Sequence, residues 1–248
     1  MSVAIYAFWM HVGHLHGLAR LNGYPVGRGV ENDVHSANKR VNDLLIEGVN
    51  VLTLDLSRRE AVDGQNASSL LTKGELGNVE ERTTLFEHHW REIDGLPADG
   101  TPHEVLRYEL RLDRAWGRWR WQDARPYRNE DFAEVVALHR AVVAAAKARD
   151  VTRLVDLFRI KYREIDRSVD EPSSDDADAA LWSKMFASTT DVLAAREEDL
   201  VATSWSDGRL VDVATKGGEA PVTLILEGGS LSVPYVVSAL SEGLRIVR

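Results

Sequence analysis

Val51-Leu52-Thr53-Leu54-Asp55-Leu56 sets a leucine at every second position with short or polar side chains between, the period of a strand with one dry face and one wet face. Val105 to Leu112 repeats the pattern, with Leu106, Tyr108, Leu110 and Leu112 on one side and Arg107, Glu109 and Arg111 on the other. Strands dry on one side only belong to antiparallel sheets packed face to face. Upstream, Ile5 to His16 and Leu18 to Leu21 read as strands, and Asn22-Gly23 is a strong two-residue hairpin signal. Arg58 to Asn78, rich in Gly, Ser, Asn and charge, reads as a long loop. Trp116-Gly117-Arg118-Trp119-Arg120-Trp121 predicts a last strand with Trp119 and Trp121 on one face and the arginines on the other. Residues 1–127 are therefore expected to form an antiparallel, jelly-roll-like β-sandwich.

At Asn129 the apolar period lengthens. Asp131-Phe132-Ala133-Glu134 has the spacing of a capping box, and Phe132, Val135, Val136, Leu138, Val142 and Val143 follow at helical intervals. Asp150 suits the cap of a second helix through Leu154, Leu157, Phe158 and Ile165, and the pair is expected to form an antiparallel hairpin. After the linker Glu171-Pro172-Ser173-Ser174, a third helix starts with Asp175, Asp176 and Asp178 at the positive end of its dipole. Thr190 to Leu200 also reads as helical. Short strands return at Arg209–Thr215, Pro221–Leu226, Leu231–Ser238 and Leu244–Val247, spaced for an antiparallel meander. The expected class is α+β, with a sandwich over 1–127 and, over 128–248, a helical segment followed by a small antiparallel sheet.

Composition narrows the function. A net charge of −9 opposes general attraction to nucleic acid, because phosphate neutralisation needs clustered Lys and Arg. The absence of cysteine excludes disulfides and thiolate chemistry, and leaves any zinc to His and carboxylates. No segment approaches the roughly 20 apolar residues of a membrane span, and the apolar opening to Met10 lacks a basic leader region; a cytoplasmic location is expected. The G-x-S-x-G, phosphate-loop, dinucleotide and H-E-x-x-H patterns are absent, Gly27-Arg28-Gly29 lacks a third glycine, and the neighbours Glu80/Glu81 and Glu197/Glu198 diverge on any regular element. No catalytic residue and no cofactor are expected. His14 and His16 would share a face of one strand and are the weak metal candidates, with His88, His89 and His103 as third ligands for a small hydrolase.

Leu21-Asn22-Gly23-Tyr24-Pro25-Val26, followed by Val41 to Leu54 with its Gly48-Val49-Asn50 corner, resembles the jelly-roll domains that accompany bacterial glycoside hydrolases. The resemblance implies a sandwich; read from the residues, an alternative function is a carbohydrate-binding module with Trp116, Trp119 or Trp121 as the stacking platform. In overall character, with an acidic helical segment and a terminal strand Gly243-Leu244-Arg245-Ile246-Val247-Arg248, the chain resembles bacterial immunity proteins encoded beside type VI secretion toxins. That implies a tight complex with one protein, the cognate toxin. Two tryptophans on one side of a strand can fill a core or, turned outward, anchor an interface; Trp119, Trp121, Asp175, Asp176 and Asp178 are the expected partner contacts.

Overall fold

The computed structural model describes residues 4–29, 34–58, 64–75, 78–91, 95–97, 99–113 and 116–248. These residues carry fifteen strands in four antiparallel sheets and three α-helices, an α+β fold divided into units of residues 1–117 and 118–248. The boundary falls before Trp119, earlier than the expected break at Tyr127.

In the first unit, β1 (Ala4–Gly13), β4 (Val34–Arg40), β6 (Asn66–Glu75) and β7 (Asn78–Arg91) form one sheet in the order β4-β1-β6-β7. The other contains β2 (His16–Leu21), β3 (Tyr24–Gly29), β5 (Gly48–Ser57) and β8 (His103–Leu112), in the order β3-β2-β5-β8. The chain neighbours β1/β2, β3/β4, β5/β6 and β7/β8 thus hold the same rank in opposite sheets. Numbered as a ring, this is the strand order of a jelly roll read from a different starting strand. Tyr6, Phe8, Met10 and Val12 of β1 are buried, as are Leu52, Leu54 and Leu56 of β5, the pattern that the alternation requires. The sheets approach closely where side chains are missing: a Cβ on Gly17 or Gly29 would stand 2.8 or 2.7 Å from the Val12 side chain.

The turn and corner seen in the sequence prove to be one device. Asn22 and Gly23 both take positive φ, as a tight hairpin demands. The Asn22 side chain donates to Asn50 Oδ1 and to the Leu44 carbonyl, each at 2.8 Å, and accepts from Val51 N. Buried Asn50 also accepts from Ile46 N and donates back to the Ile46 carbonyl, so two asparagines fasten the β2–β3 turn to the entry of β5.

Two expectations for residues 1–127 are corrected. The segment 58–78 contains β6, the neighbour of β1, whose Ser68, Ser69 and Thr72 look loop-like because the sheet, and not their own hydrophobicity, orders them. The passage from Trp116 to Trp121 is not a strand; it ends in a 3-10 turn over Arg120–Asp123.

In the second unit, α1 (Phe132–Ala148), α2 (Val151–Ser168) and α3 (Asp175–Ala187) pack with two sheets. Asp131 precedes α1, accepting from Arg128 N and, through both oxygens, from Arg125. Asp150 caps α2 by accepting from Arg153 N, and Ser174 caps α3 by accepting from Ala177 N. The expected meander is two sheets: β10 (Leu200–Trp205), β11 (Leu210–Thr215), β14 (Tyr235–Leu240) and β15 (Gly243–Ile246) in order, and β13 (Gly229–Ser232), β12 (Val222–Leu226) and β9 (Thr189–Ala194). β9 replaces the helix expected from Thr190, because pairing of Val192 with Leu224 and Leu193 with Thr223 outweighs local helix propensity. Phe158, Trp182, Phe186 and Tyr235 form the centre of the core, Phe158 lying 5.5 Å from Trp182 and 6.1 Å from Tyr235, centroid to centroid.

Candidate functional site

Trp119 and Trp121 are core residues, 0% and 4% exposed. The premise that they stand outward as partner contacts does not hold. Trp119 N donates to Gln122 Oε1, the Arg167 guanidinium lies 4.4 Å from the Trp119 ring centre, and Arg167 also donates to the Arg118 carbonyl. Buried Glu164 accepts from Arg120 N in the same turn. Trp116 is buried too, 6.0 Å from Tyr6 in an edge-to-face contact, so none of these three indoles offers a stacking platform.

The acids behave differently. Asp175 and Asp176 are exposed at the start of α3, and Asp178 is half-buried. Asp175 turns towards Arg159 and Arg163 of α2, at 3.7 and 3.6 Å. Burial, then the charges of Asp166 and Asp175, push the Asp178 carboxyl above its ordinary range.

His14 takes a left-handed conformation at the corner between β1 and β2, while His16 opens β2 with its side chain exposed. They are not alternate residues of one strand, so the shared face expected for metal ligation is not formed. His88 and His89 lie on β7 and His103 on β8. Among the described residues no three His, Asp or Glu groups gather as a metal cluster would require. Among the described residues no helix is long and apolar enough to cross a membrane. The Glu80 side chain lies outside the described residues; Glu197 pairs with Arg140.

One buried histidine has defined chemistry. His139 of α1 lies with Nδ1 2.8 Å from the Tyr235 hydroxyl and Nε2 3.1 Å from the Ala195 carbonyl. A carbonyl only accepts, so Nε2 carries the proton and Nδ1 accepts from Tyr235. Burial holds the His139 pKa below its ordinary 6.5 and pushes the Tyr235 hydroxyl upward. Above pH 6.5 the imidazole is neutral folded and unfolded; below it the unfolded chain takes up a proton that the folded chain refuses. Stability is therefore expected to fall as pH drops below 6.5, and His139→Gln should flatten that fall in thermal melts between about pH 7 and 5.

An ordered array of outward side chains lies on the outer face of β4-β1-β6-β7. With Tyr6, Phe8, Met10 and Val12 in the core, parity turns Ala7, Trp9 and His11 outward. Trp9 sits in register between Asn38 of β4 and Leu70 of β6, and Leu70 faces Glu87 of β7. One pair further along, His11 sits between Ser36 and Ser68, and Ser68 faces His89. His11 Nδ1 is hydrogen-bonded to Ser36 Oγ at 3.1 Å, and His89 Nε2 to Glu87 Oε1 at 3.0 Å. The Trp9 and His11 rings are nearly parallel, 11° apart, with centroids 6.0 Å apart. Ser36, Asn38, Glu87 and His89 are exposed, whereas Trp9, His11, Ser68 and Leu70 are half-buried. The result is an indole with an apolar neighbour, ringed by hydroxyl, amide, imidazole and carboxylate groups.

Sequence reasoning missed this face, although the alternation of Tyr6, Phe8, Met10 and Val12 already puts Trp9 and His11 on the opposite side. Comparison with protein-family models, with curated proteins and with solved structures finds no match to this chain.

Proposed function

We propose that this chain acts by binding rather than catalysis, and that it recognises a protein partner through the outer face of β4-β1-β6-β7. The Trp9 row carries the reading: an aromatic anchor near the middle of a sheet face, with polar groups around it, has the composition of an interface hot spot and its rim. The net charge of −9 favours association with a basic surface. In this reading the protein is an inhibitor of the immunity type, blocking a toxin by surface complementarity. The test is titration against the product of the adjacent gene, with rescue of cells that express it. A dissociation constant below the micromolar range and rescue are expected; neither rescue nor binding in that range would overturn the reading.

One observation favours a second reading. Ser36, Asn38, Ser68 and Glu87 around an indole also suit a neutral saccharide, whose hydroxyls they would hydrogen-bond. The platform would then be Trp9, in place of the buried Trp116, Trp119 and Trp121. Saturable glycan binding that disappears in Trp9→Ala would favour it, and silence across a glycan array would remove it.

A further inference from the structure

A cleft of about 550 Å³ opens in the second unit between α1, α2 and the β14–β15 turn, within the size range of small-ligand sites. Its lining is apolar along Leu138 and Leu157, and the short side chains of Ala137 and Ala141 face it. Five charged residues border it. Three are matched locally: Arg153 with Asp156, which also meets Arg159, and Glu242 with Arg120.

Glu134 and Arg245 are the other two, and among the described residues neither takes part in an ion pair. Glu134 Oε2 accepts only a long hydrogen bond from Leu244 N, at 3.4 Å, and Arg245 Nη1 donates to the Leu244 carbonyl at 2.9 Å. At longer range Arg245 also attracts Glu242, and Glu134 attracts Arg125. Both groups flank Gly243, a residue with φ +98°: a Cβ built there would stand 3.6 Å from Arg245 Nη1 and 3.9 Å from Glu134 Oε2. A Cβ there would be in ordinary van der Waals contact with both groups, so a carboxylate and a guanidinium stand near one another on the border of the apolar cleft. An ammonium and a carboxylate carried on one carbon suit two neighbouring counter-charges of this kind, one hydrogen-bonding to each.

We propose that this cleft binds a free α-amino acid with an apolar side chain. Its ammonium group meets Glu134, its carboxylate meets Arg245, and its side chain lies along Leu138 and Leu157. The site is independent of the sandwich face, and its failure would leave the partner-binding reading untouched.

The test is isothermal titration of the full chain with L-leucine, with leucinol, which lacks the carboxylate, and with 4-methylpentanoate, which lacks the amine. Saturable binding of L-leucine is expected, with both analogues at least about tenfold weaker. Arg245→Gln should weaken L-leucine to the level of leucinol while leaving leucinol itself unchanged, and Glu134→Gln should do the same relative to 4-methylpentanoate. No saturable heat with L-leucine or L-phenylalanine up to about 10 mM would overturn the proposal. So would equal affinity for 4-methylpentanoate, or binding indifferent to both substitutions.

Discussion

Trp119→Ala is expected to lower the stability of the second unit by about 3–5 kcal/mol, measured as a shift in the urea midpoint. The indole is fully enclosed, so its removal loses the transfer free energy of a large aromatic group and leaves a cavity that the 3-10 turn over Arg120–Asp123 cannot readily fill. The Arg167 guanidinium would lose the ring on which it rests. A residue at a partner interface would behave in the opposite way, costing affinity and sparing stability. An unchanged urea midpoint in Trp119→Ala would therefore restore the outward-facing role that the structure denies it.

Asn50→Ala is expected to cost about 2–4 kcal/mol, from the first unit. Asn50 is 0% exposed and uses both ends of its amide: Oδ1 accepts from Asn22 Nδ2 and Ile46 N, and Nδ2 donates to the Ile46 and Gly48 carbonyls. Alanine would leave the Ile46 N–H and one Asn22 N–H without their acceptor in a half-buried corner, and each orphaned group costs about 1–3 kcal/mol. Because Asn22 carries the β2–β3 turn as well as this contact, Asn22→Ala and Asn50→Ala should be non-additive, the double variant costing less than the sum. Full additivity would show that the two asparagines act separately.

What the sequence announced and what it concealed follow from the range of the forces involved. The leucines at 52, 54 and 56 and the caps Asp150 and Ser174 act through their own strand or helix end, so a local pattern reveals them. The strand β6 is set by ten register pairs with β1, and its serines carry no local mark of a strand. β9 is likewise fixed by β12, some thirty residues further on. Burial of Trp119 depends on side chains of α2, and the Trp9 face is assembled from four strands scattered between Ala4 and Arg91. Periodicity gave the side of β1 on which Trp9 lies; only the register supplied its neighbours.

The central claim is that the outer face of β4-β1-β6-β7 is a recognition surface, and Trp9→Ala is the variant that addresses it. Calorimetric titration with the partner is predicted to show a loss of about 2 kcal/mol or more, roughly thirtyfold in dissociation constant, with the melting temperature nearly unchanged. Full affinity in Trp9→Ala, at an unchanged melting temperature, would contradict the account and move the binding surface elsewhere on the chain.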